Sequence, residues 1–352
     1  MKALALTAVK KLELREVPEP ARPGPRDALL EIAAVGVCGS DLHYFNHGRI
    51  GSLMVQYPMI LGHECSARVL EVGSEVRRVK PGDRIAVEPA VSCGVCDQCR
   101  AQRRHTCRQL SFLGCPGQLP GCLCERLVLP EECCFPIAPA TTLDQAALVE
   151  VLSIAVYAVR RGDVRSGVAV GILGAGPIGL ALLLVLRQAG IRTICVTEPL
   201  AARRALAEKL GAVWAGDPYA ADAAQALGRR EPLGLDVVFE CCGRQEAVDD
   251  ALRLLKPGGT LVMVGIPTVD RISLAMDLAR RKEIRFQNVR RQNGCLPAAL
   301  ELIERDRLPV QQLHTHTFPF DRAAEAFDLV ANYRDGVIKA LIHVGNGARA
   351  SS

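Results

Sequence analysis

Short runs of alternating apolar and polar residues, separated by turn-forming residues, occupy the chain up to about residue 140. Such alternation is typical of half-buried β-strands. The segment Pro81-Gly82-Asp83 is a clear turn between two of these runs. The pattern predicts a mainly β region whose strands include residues 28–37, 66–72, 84–87 and 124–129.

A helix-start signal follows this region. Thr142 stands three residues before Gln145, which is the spacing of a capping box, and apolar residues then recur at helical spacing as far as Val159. We expect a single helix over this stretch. The boundary between two domains is expected in the helix or just after it.

Beyond residue 168, continuous apolar runs alternate with helical patterns. Apolar strands separated by helices indicate a parallel sheet that is covered on both faces. The strands are predicted at 168–173, 193–197, 236–240 and 260–264, and the helices at 177–189, 200–210 and 245–255. Two later helices, at 296–304 and 322–331, and a final strand at 337–343 are expected to return to the first domain. The expected organisation is a mainly β domain of residues 1–155, completed by 289–352, and an α/β domain of residues 156–288.

Composition fits a soluble two-domain protein, because 352 residues exceed what one hydrophobic core usually holds. The net charge of +5 comes without a long basic run, so neither a nucleic-acid partner nor a membrane partner is expected. The uncharged stretch 167–186 contains several glycines and Pro177, which argues against a membrane span. Fifteen cysteines and a start without a signal-peptide pattern predict reduced thiols in the cytoplasm.

A glycine-rich turn, Gly174-Ala175-Gly176-Pro177-Ile178-Gly179, follows the first strand of the predicted parallel sheet and opens a helix. This GxGxxG pattern is typical of dinucleotide binding, with the phosphates at the helix N-terminus. Glu198 lies 24 positions after Gly174, close to the expected place of the acidic residue that binds the ribose hydroxyls. Glu198 favours NAD over NADP, whereas the neighbouring Arg203 and Arg204 would favour a phosphate.

Four cysteines, Cys93, Cys96, Cys99 and Cys107, have the spacing CxxCxxCx7C. Four thiolates so close in the chain suit a closed tetrahedral zinc site of structural type. An iron–sulfur cluster and a chance group of buried thiols are the alternatives.

A second group of zinc-type ligands is formed by Cys38, His63 and Glu64. Glu150 joins it as a candidate, because it interrupts the apolar helical run AALVEVLSIAV and a buried carboxylate needs a partner. The alternative for Glu150 is a solvent-facing position on an amphipathic helix.

The segments that carry these residues occur in the order seen in zinc-containing medium-chain dehydrogenases. They are CGSDLHYFNHGRIG, PMILGHE, the four-cysteine segment, LVEVLSIA, GAGPIG and LKPGGTLVMVGIP. HYFNHGRIG followed by YPMILGHE resembles the sorbitol and xylitol dehydrogenase branch in particular. The resemblance covers nearly the whole chain and implies a GroES-like catalytic domain, a Rossmann domain and a homotetramer or homodimer.

By matching motif positions, the resemblance implies a catalytic zinc held by Cys38, His63 and Glu64, with Glu150 acting through water. Because direct binding of both carboxylates would make the zinc site negatively charged, we expect only one at a time to bind the metal. The substrate contacts are expected from Tyr44, Glu150, Arg291 and Gln292. The implied nucleotide contacts, beyond the turn residues Gly174, Gly176, Pro177 and Gly179, are Ile178, Glu198, Arg203, Val264, Gly265, Ile266, Val289, Arg290 and Arg291.

The expected reaction is oxidation of a secondary hydroxyl of a small polyol to a ketose, with hydride transfer to NAD. Ser40, next to the ligand Cys38, is the expected first proton acceptor, with His43 beyond it. Three positions depart from the family pattern. Val151 replaces the usual proline, Cys65 a small residue such as alanine, and Gln292 a tyrosine that is common in polyol dehydrogenases.

Two other functions compete with this one. The first is a zinc dehydrogenase that acts on an amino-alcohol or a simple diol, such as threonine or butanediol. The second is an NAD-sensing or zinc-ribbon nucleic-acid-binding protein without catalysis. It draws on the four arginines near the cysteine segment, Arg100, Arg103, Arg104 and Arg108.

Overall fold

The computed structural model of the chain describes residues 1–220 and 223–345. These residues form two compact units. The first comprises Met1–Glu150 and the chain from Leu296 onward, and the second comprises Val151–Cys295. The end of the predicted 289–352 segment, from residue 346 on, lies outside the described residues.

The strands are, in chain order, β1 Lys2–Ala8, β2 Lys11–Glu16, β3 Asp27–Gly36, β4 Arg49–Ile50, β5 Leu53–Met54, β6 Met59–Ile60, β7 Glu64–Val72, β8 Arg84–Val87, β9 Ala90–Val91, β10 Ser111–Phe112, β11 Arg126–Pro130, β12 Cys134–Pro136, β13 Ala169–Leu173, β14 Thr193–Thr197, β15 Trp214–Gly216, β16 Leu235–Glu240, β17 Leu255–Met263, β18 Arg285–Asn288, β19 His314–Pro319 and β20 Lys339–His343. The α-helices are α1 Gly39–His47, α2 Asp97–Arg100, α3 Leu143–Ala147, α4 Val149–Arg161, α5 Pro177–Gln188, α6 Ala201–Lys209, α7 Ala223–Arg230, α8 Gln245–Leu254, α9 Met276–Arg281, α10 Leu296–Glu304 and α11 Ala323–Ala331.

The first unit is built on a seven-stranded sheet in the order β12-β8-β7-β3-β20-β19, with β11 also paired to β3. Most of its pairs are antiparallel, and β19 and β20 run parallel to each other. Alternate residues of the long strand β3, including Leu30 and Ile32, are buried in one hydrophobic core with Phe327 of α11. As expected, the C-terminal strand β20 returns to this unit, where it pairs with β3.

The second unit contains a six-stranded sheet in the order β15-β14-β13-β16-β17-β18, in which every pair is parallel. Strand β13 is buried along its whole length, as a central strand of a covered parallel sheet should be. The predicted combination of a mainly β catalytic domain and an α/β Rossmann domain is confirmed. Four elements of this unit, β15, α7, α9 and β18, were not predicted; the edge strand β18 is mostly exposed and carries no apolar run.

The single helix expected from Thr142 to Val159 is wrong, because the structure has two helices there. The capping box at Thr142 is present: its hydroxyl accepts a bond from the Gln145 N–H at 3.1 Å, and the Gln145 side chain accepts one from the Thr142 N–H at 2.9 Å. The N–H of Leu148 then donates to the Gln145 carbonyl at 3.1 Å. This bond spans three residues and closes the last turn of α3, so α4 begins anew at Val149.

The division between the units also differs from the expected boundaries. Residues 151–155 and 289–295, which had been assigned to the catalytic domain, lie in the second unit. Local bonds explain this for the later segment. The Cys295 N–H donates to Gln292 at 2.7 Å, and Arg160 of α4 donates to the Cys295 sulfur at 3.4 Å. No helix in the described part of the chain is long and apolar enough to cross a membrane, and the uncharged stretch 167–186 is shared between β13 and α5.

Candidate active site and metal centres

Cys38, His63 and Glu64 come together in the first unit, with one ligand atom from each lying within 4.8 Å of the others. Cys38 is the N-cap of α1, just after β3, and Glu64 begins β7. The pairing of β3 with β7 sets Glu64 opposite Gly36, where a Cβ would lie 2.3 Å from the Glu64 carboxylate. A side chain at position 36 would have to displace the Glu64 carboxylate, and the sheet register brings the three ligands together.

Asp41 fixes this arrangement from the first turn of α1. One of its carboxylate oxygens accepts the Cys38 N–H at 3.3 Å, and the other accepts the Gly62 N–H at 3.2 Å. The second oxygen also lies 3.5 Å from Nδ1 of His63. Asp41 thus orients the imidazole so that Nε2 faces the ligand group, which is the usual role of a carboxylate behind a metal-binding histidine.

The hydroxyl of Ser40 lies within the ligand group itself. It donates to the sulfur of Cys38 at 3.3 Å and lies 3.4 Å from Nε2 of His63. His43, one turn further along α1, has a pKa lowered by burial and by the neighbouring His47. Tyr44 is buried, and its hydroxyl lies 3.8 Å from the sulfur of Cys115.

Lys339 is the main residue of this site that the sequence analysis missed. Its Nζ lies 2.9 and 2.7 Å from the two carboxylate oxygens of Glu64, and it also donates to the Val37 carbonyl at 3.0 Å. Both side chains of the pair are almost fully buried. The signal was available in the sequence, because Lys339 interrupts the apolar run 337–342 and a buried ammonium needs an anionic partner.

Glu150 is 4% exposed, so the alternative of a solvent-facing position on an amphipathic helix is wrong. Its charge, after those of Glu64 and Cys38, helps to raise the pKa of Lys339 against the lowering effect of burial. Glu150 therefore lies near the site, but it is not part of the ligand group of Cys38, His63 and Glu64.

The charges of the ligand group affect one another strongly. Burial, followed by the Glu64 charge, raises the pKa of Cys38. Burial lowers the pKa of His63, but Asp41 and Cys38 together raise it well above its ordinary value. A divalent cation suits this group, because it would stabilise the Cys38 thiolate that burial disfavours.

The four cysteines of the second metal centre also converge in the first unit. The sulfur–sulfur distances are 3.4 Å for Cys93–Cys107, 3.6 Å for Cys96–Cys99, and 3.9 Å for both Cys93–Cys99 and Cys96–Cys107. Near-equal separations of four sulfurs are what a tetrahedral zinc ion requires. Each of the four cysteines offers a sulfur within 4.8 Å of the other three. Hydrogen bonds from backbone N–H groups lower the pKa of Cys96 to about 6.

In the second unit, the glycine-rich turn lies at the carboxyl end of β13, where an α/β sheet binds nucleotides. Gly174 has a φ of 101°, and a Cβ at Gly179 would lie 1.9 Å from the Gly174 carbonyl oxygen. Only glycines allow this close approach. Other predicted nucleotide contacts lie at the carboxyl ends of the neighbouring strands: Glu198 after β14, Val264, Gly265 and Ile266 after β17, and Val289, Arg290 and Arg291 after β18.

The carboxylate of Glu198 is fixed by the backbone: one oxygen accepts the Ala175 N–H at 2.8 Å and the other the Leu200 N–H at 3.1 Å. Two of the predicted substrate residues, Arg291 and Gln292, lie near the end of this unit. Arg291 adopts a φ of 54°, and Gln292 is buried with its side-chain oxygen accepting the Cys295 N–H.

Comparison with known proteins shows the family to which the chain belongs. The model of the alcohol dehydrogenase GroES-like domain matches residues 24–139, and that of the zinc-binding dehydrogenase family matches residues 177–305. Sorbitol dehydrogenase of Mus musculus is 35% identical over 321 residues, which cover 90% of this chain and 88% of that protein.

Solved structures share the whole fold. A zinc-binding dehydrogenase from Sinorhizobium meliloti, bound to NADP, is 32% identical with a TM-score of 0.89, covering 97% of this chain and 99% of the other. The 2R,3R-butanediol dehydrogenase of Bacillus subtilis is 27% identical with a TM-score of 0.87, covering 98% and 99%. The chain therefore belongs to the zinc-containing medium-chain alcohol dehydrogenase family, in the part that resembles sorbitol and xylitol dehydrogenases, and it is an oxidoreductase.

Proposed function

We propose that this enzyme oxidises a secondary hydroxyl of a sorbitol- or xylitol-like polyol to a ketose and transfers the hydride to NAD. The observation that carries the proposal is the convergence of Cys38 with the buried His63 and Glu64, with the hydroxyl of Ser40 in contact with two members of this group. The similarity to sorbitol dehydrogenase over most of the chain supports the polyol class.

The ligand group fits zinc, because a thiolate, an imidazole and a carboxylate are its usual protein ligands and balance its charge. Zinc, when bound, supplies a Lewis acid that eases loss of the proton from a substrate hydroxyl. Lys339 contacts both oxygens of Glu64, at 2.9 and 2.7 Å, and so fixes the position of this carboxylate. Glu150 lies outside the group, so we assign it a role through water, next to the substrate.

The proton released from the substrate needs an acceptor within the site. Ser40 is the first candidate, because its hydroxyl already lies among the ligand atoms and can pass on a proton as it receives one. His43 is the second. Burial lowers its pKa, so it is neutral at pH 7 and has a nitrogen that can accept a proton.

We propose NAD as the cofactor, because Glu198 offers a fixed carboxylate where the ribose hydroxyls of a dinucleotide bind. Arg203 supports binding of the pyrophosphate, since Nη1 of its guanidinium lies 3.7 Å from the position of a Cβ on Gly176. We also propose two zinc ions per chain, a cytoplasmic location and a homodimeric or homotetrameric assembly. None of the fifteen cysteines, all of them among the described residues, is paired in a disulfide, and this supports the proposal of a reducing compartment.

A diol or amino-alcohol is the second candidate substrate, and it is favoured by the similarity to butanediol dehydrogenase. A nucleic-acid-binding role for the cysteine segment has less support. Of its arginines, Arg108 pairs with Asp97 at 2.5 Å and Arg104 with Glu132 at 3.6 Å, which reduces the charge offered to a phosphate backbone.

The experiment that tests the proposal is NADH formation by the zinc-loaded enzyme with five- and six-carbon polyols, isopropanol, threonine and 2,3-butanediol. We expect the highest kcat/KM with a polyol, because a site that hydrogen-bonds several hydroxyls discriminates against analogues that lack them. Arg291→Ala should weaken polyol turnover far more than NAD binding, whereas Arg285→Ala, on exposed β18, should change neither. Preference for isopropanol, threonine or butanediol over every polyol would contradict the assignment.

A further inference from the structure

Asp217 is an acidic residue near the nucleotide-binding turn that the reaction does not use. We propose that Asp217 is a cofactor-selectivity residue, which holds Arg204 away from a 2′-phosphate and so disfavours NADP. The inference rests on the proposed function, since it requires a nicotinamide dinucleotide at this turn.

The topology places Asp217 beside Glu198. Strands β14 and β15 are parallel neighbours, with Thr197 opposite Gly216. Glu198 and Asp217 are the residues that directly follow these two partners, and the Glu198 N–H donates to the Gly216 carbonyl at 2.9 Å. Two carboxylates therefore stand at adjacent strand ends, on the edge of the sheet where the ribose of a dinucleotide is bound.

Helix α6, which follows β14, carries two arginines with separate positions. Arg203 is buried and reaches the glycine-rich turn, as its distance to Gly176 shows. Arg204 instead is tied to the chain just before α6. Its Nη1 donates to the carbonyls of Glu198 and Pro199 at 2.7 and 2.6 Å. Arg203 thus lies beside the glycine-rich turn, where the pyrophosphate would bind. Arg204 is bonded to the backbone of the segment between β14 and α6.

Asp217 completes the restraint on Arg204. Its Oδ2 lies 3.5 Å from Nη1 of Arg204, and its Oδ1 accepts the Tyr219 N–H at 3.0 Å, which fixes the carboxylate. An arginine near the ribose-binding acid is the residue that accommodates the 2′-phosphate in NADP-dependent enzymes. Here Arg204 lies beside the Asp217 carboxylate. A 2′-phosphate would therefore meet the negative charges of Glu198 and Asp217, while the positive charge of Arg204 would be partly neutralised.

The fold itself does not select the cofactor, since a solved relative with the same architecture has NADP bound. Side chains at the strand ends must decide it. Glu198 already disfavours a phosphate by repulsion. Asp217 adds a second negative charge and pairs with Arg204, whereas Arg203 lies beside Gly176 of the turn.

The test is the affinity of zinc-loaded protein for NAD and for NADP, measured by calorimetry without substrate. Asp217→Asn removes the charge and keeps an oxygen for the Tyr219 N–H. We expect it to raise NADP affinity relative to NAD by about ten- to a hundredfold, which corresponds to one charge-assisted hydrogen bond to the phosphate. The gain should shrink at high salt, because Arg204 and Asp217 are partly exposed.

Two further variants make the test specific. Arg204→Gln in the Asp217→Asn background should abolish the gain, since the released cation would be gone. Asp250→Asn removes the same charge from an ion pair with Arg253 on α8 and should leave the ratio of affinities unchanged.

The outcomes separate the inference from the proposed function. A wild-type protein that binds neither dinucleotide would overturn both. A protein that binds NAD, but whose NADP-to-NAD ratio is the same in Asp217→Asn as in wild type or in Asp250→Asn, would overturn the role of Asp217 alone. A gain that survives the loss of Arg204 would also overturn it.

Discussion

Replacement of Lys339 by methionine removes the ammonium that balances Glu64 and leaves an unbranched apolar side chain in its place. The side chains of Lys339 and Glu64 are only 2% and 1% exposed, so water cannot take over the lost interaction. The Val37 carbonyl also loses its bond from Nζ. The variant therefore buries a carboxylate and a carbonyl that have lost a donor.

The expected loss is about 3–5 kcal/mol in the free energy of unfolding, the cost of removing one partner from a buried ion pair. The matched control is Lys80→Met in the same unit. Its ammonium lies 2.8 Å from Asp83 but is 80% exposed, so its loss should cost at most about 1 kcal/mol. The two ion pairs have nearly the same N–O distance, so a difference between the two variants in the free energy of unfolding reports the effect of burial.

Bound zinc should change the stability cost of Lys339→Met. When zinc binds beside Glu64, the carboxylate gains another positive partner, so the cost of Lys339→Met should be smaller in zinc-loaded protein than in protein stripped of zinc. The comparison is made between variant and wild type in each state, because removal of the cysteine-bound zinc destabilises both.

Hydrogen exchange of β3 and β20 in increasing urea measures the first unit directly. Fluorescence of the single tryptophan, Trp214, reports on the second unit and should not change. The double variant Lys339→Met/Glu64→Gln should recover most of the stability, since no buried charge remains. If Lys339→Met costs no more than Lys80→Met, the reasoning from burial is refuted.

Three other predictions concern the metals and the cofactor. Cys99→Ser should reduce the zinc content from two ions per chain to one and destabilise the protein, whereas Cys195→Ser, in the second unit, should keep both ions by elemental analysis. Glu150→Gln should retain NAD affinity but slow turnover by about a hundredfold, in line with losses of groups that act through a metal ligand or its water; unchanged turnover would remove Glu150 from the mechanism. Glu198→Gln should relax the preference for NAD, because it removes the negative charge and can keep only part of the hydrogen bonds from the Ala175 and Leu200 N–H groups. Equal kcat/KM values for NAD and NADP in wild type would contradict the role of Glu198.

Much of the fold followed from local patterns in the sequence. Periodicity distinguishes the β region from the alternating α/β region, and the capping box at Thr142 lies where it was predicted. The break at Leu148 was not predicted, because a three-residue hydrogen bond leaves no mark on the spacing of apolar residues. The polar edge strand β18 was missed for a related reason, since a mostly exposed strand needs no apolar run.

By itself, the sequence determined the residue types and short spacings: the four cysteines, the glycine-rich turn, and the pairs of neighbours around Cys38 and His63. Their chemistry is local, so it can be recognised without a fold. Tertiary structure alone decided which distant groups meet. Lys339 and Glu64 are 275 positions apart, and only the pairing of β20 and β7 with β3 brings their charges together. Likewise, Arg203 and Arg204 look equivalent in the sequence, but only the folded backbone sets Arg203 beside the glycine-rich turn and Arg204 beside Asp217.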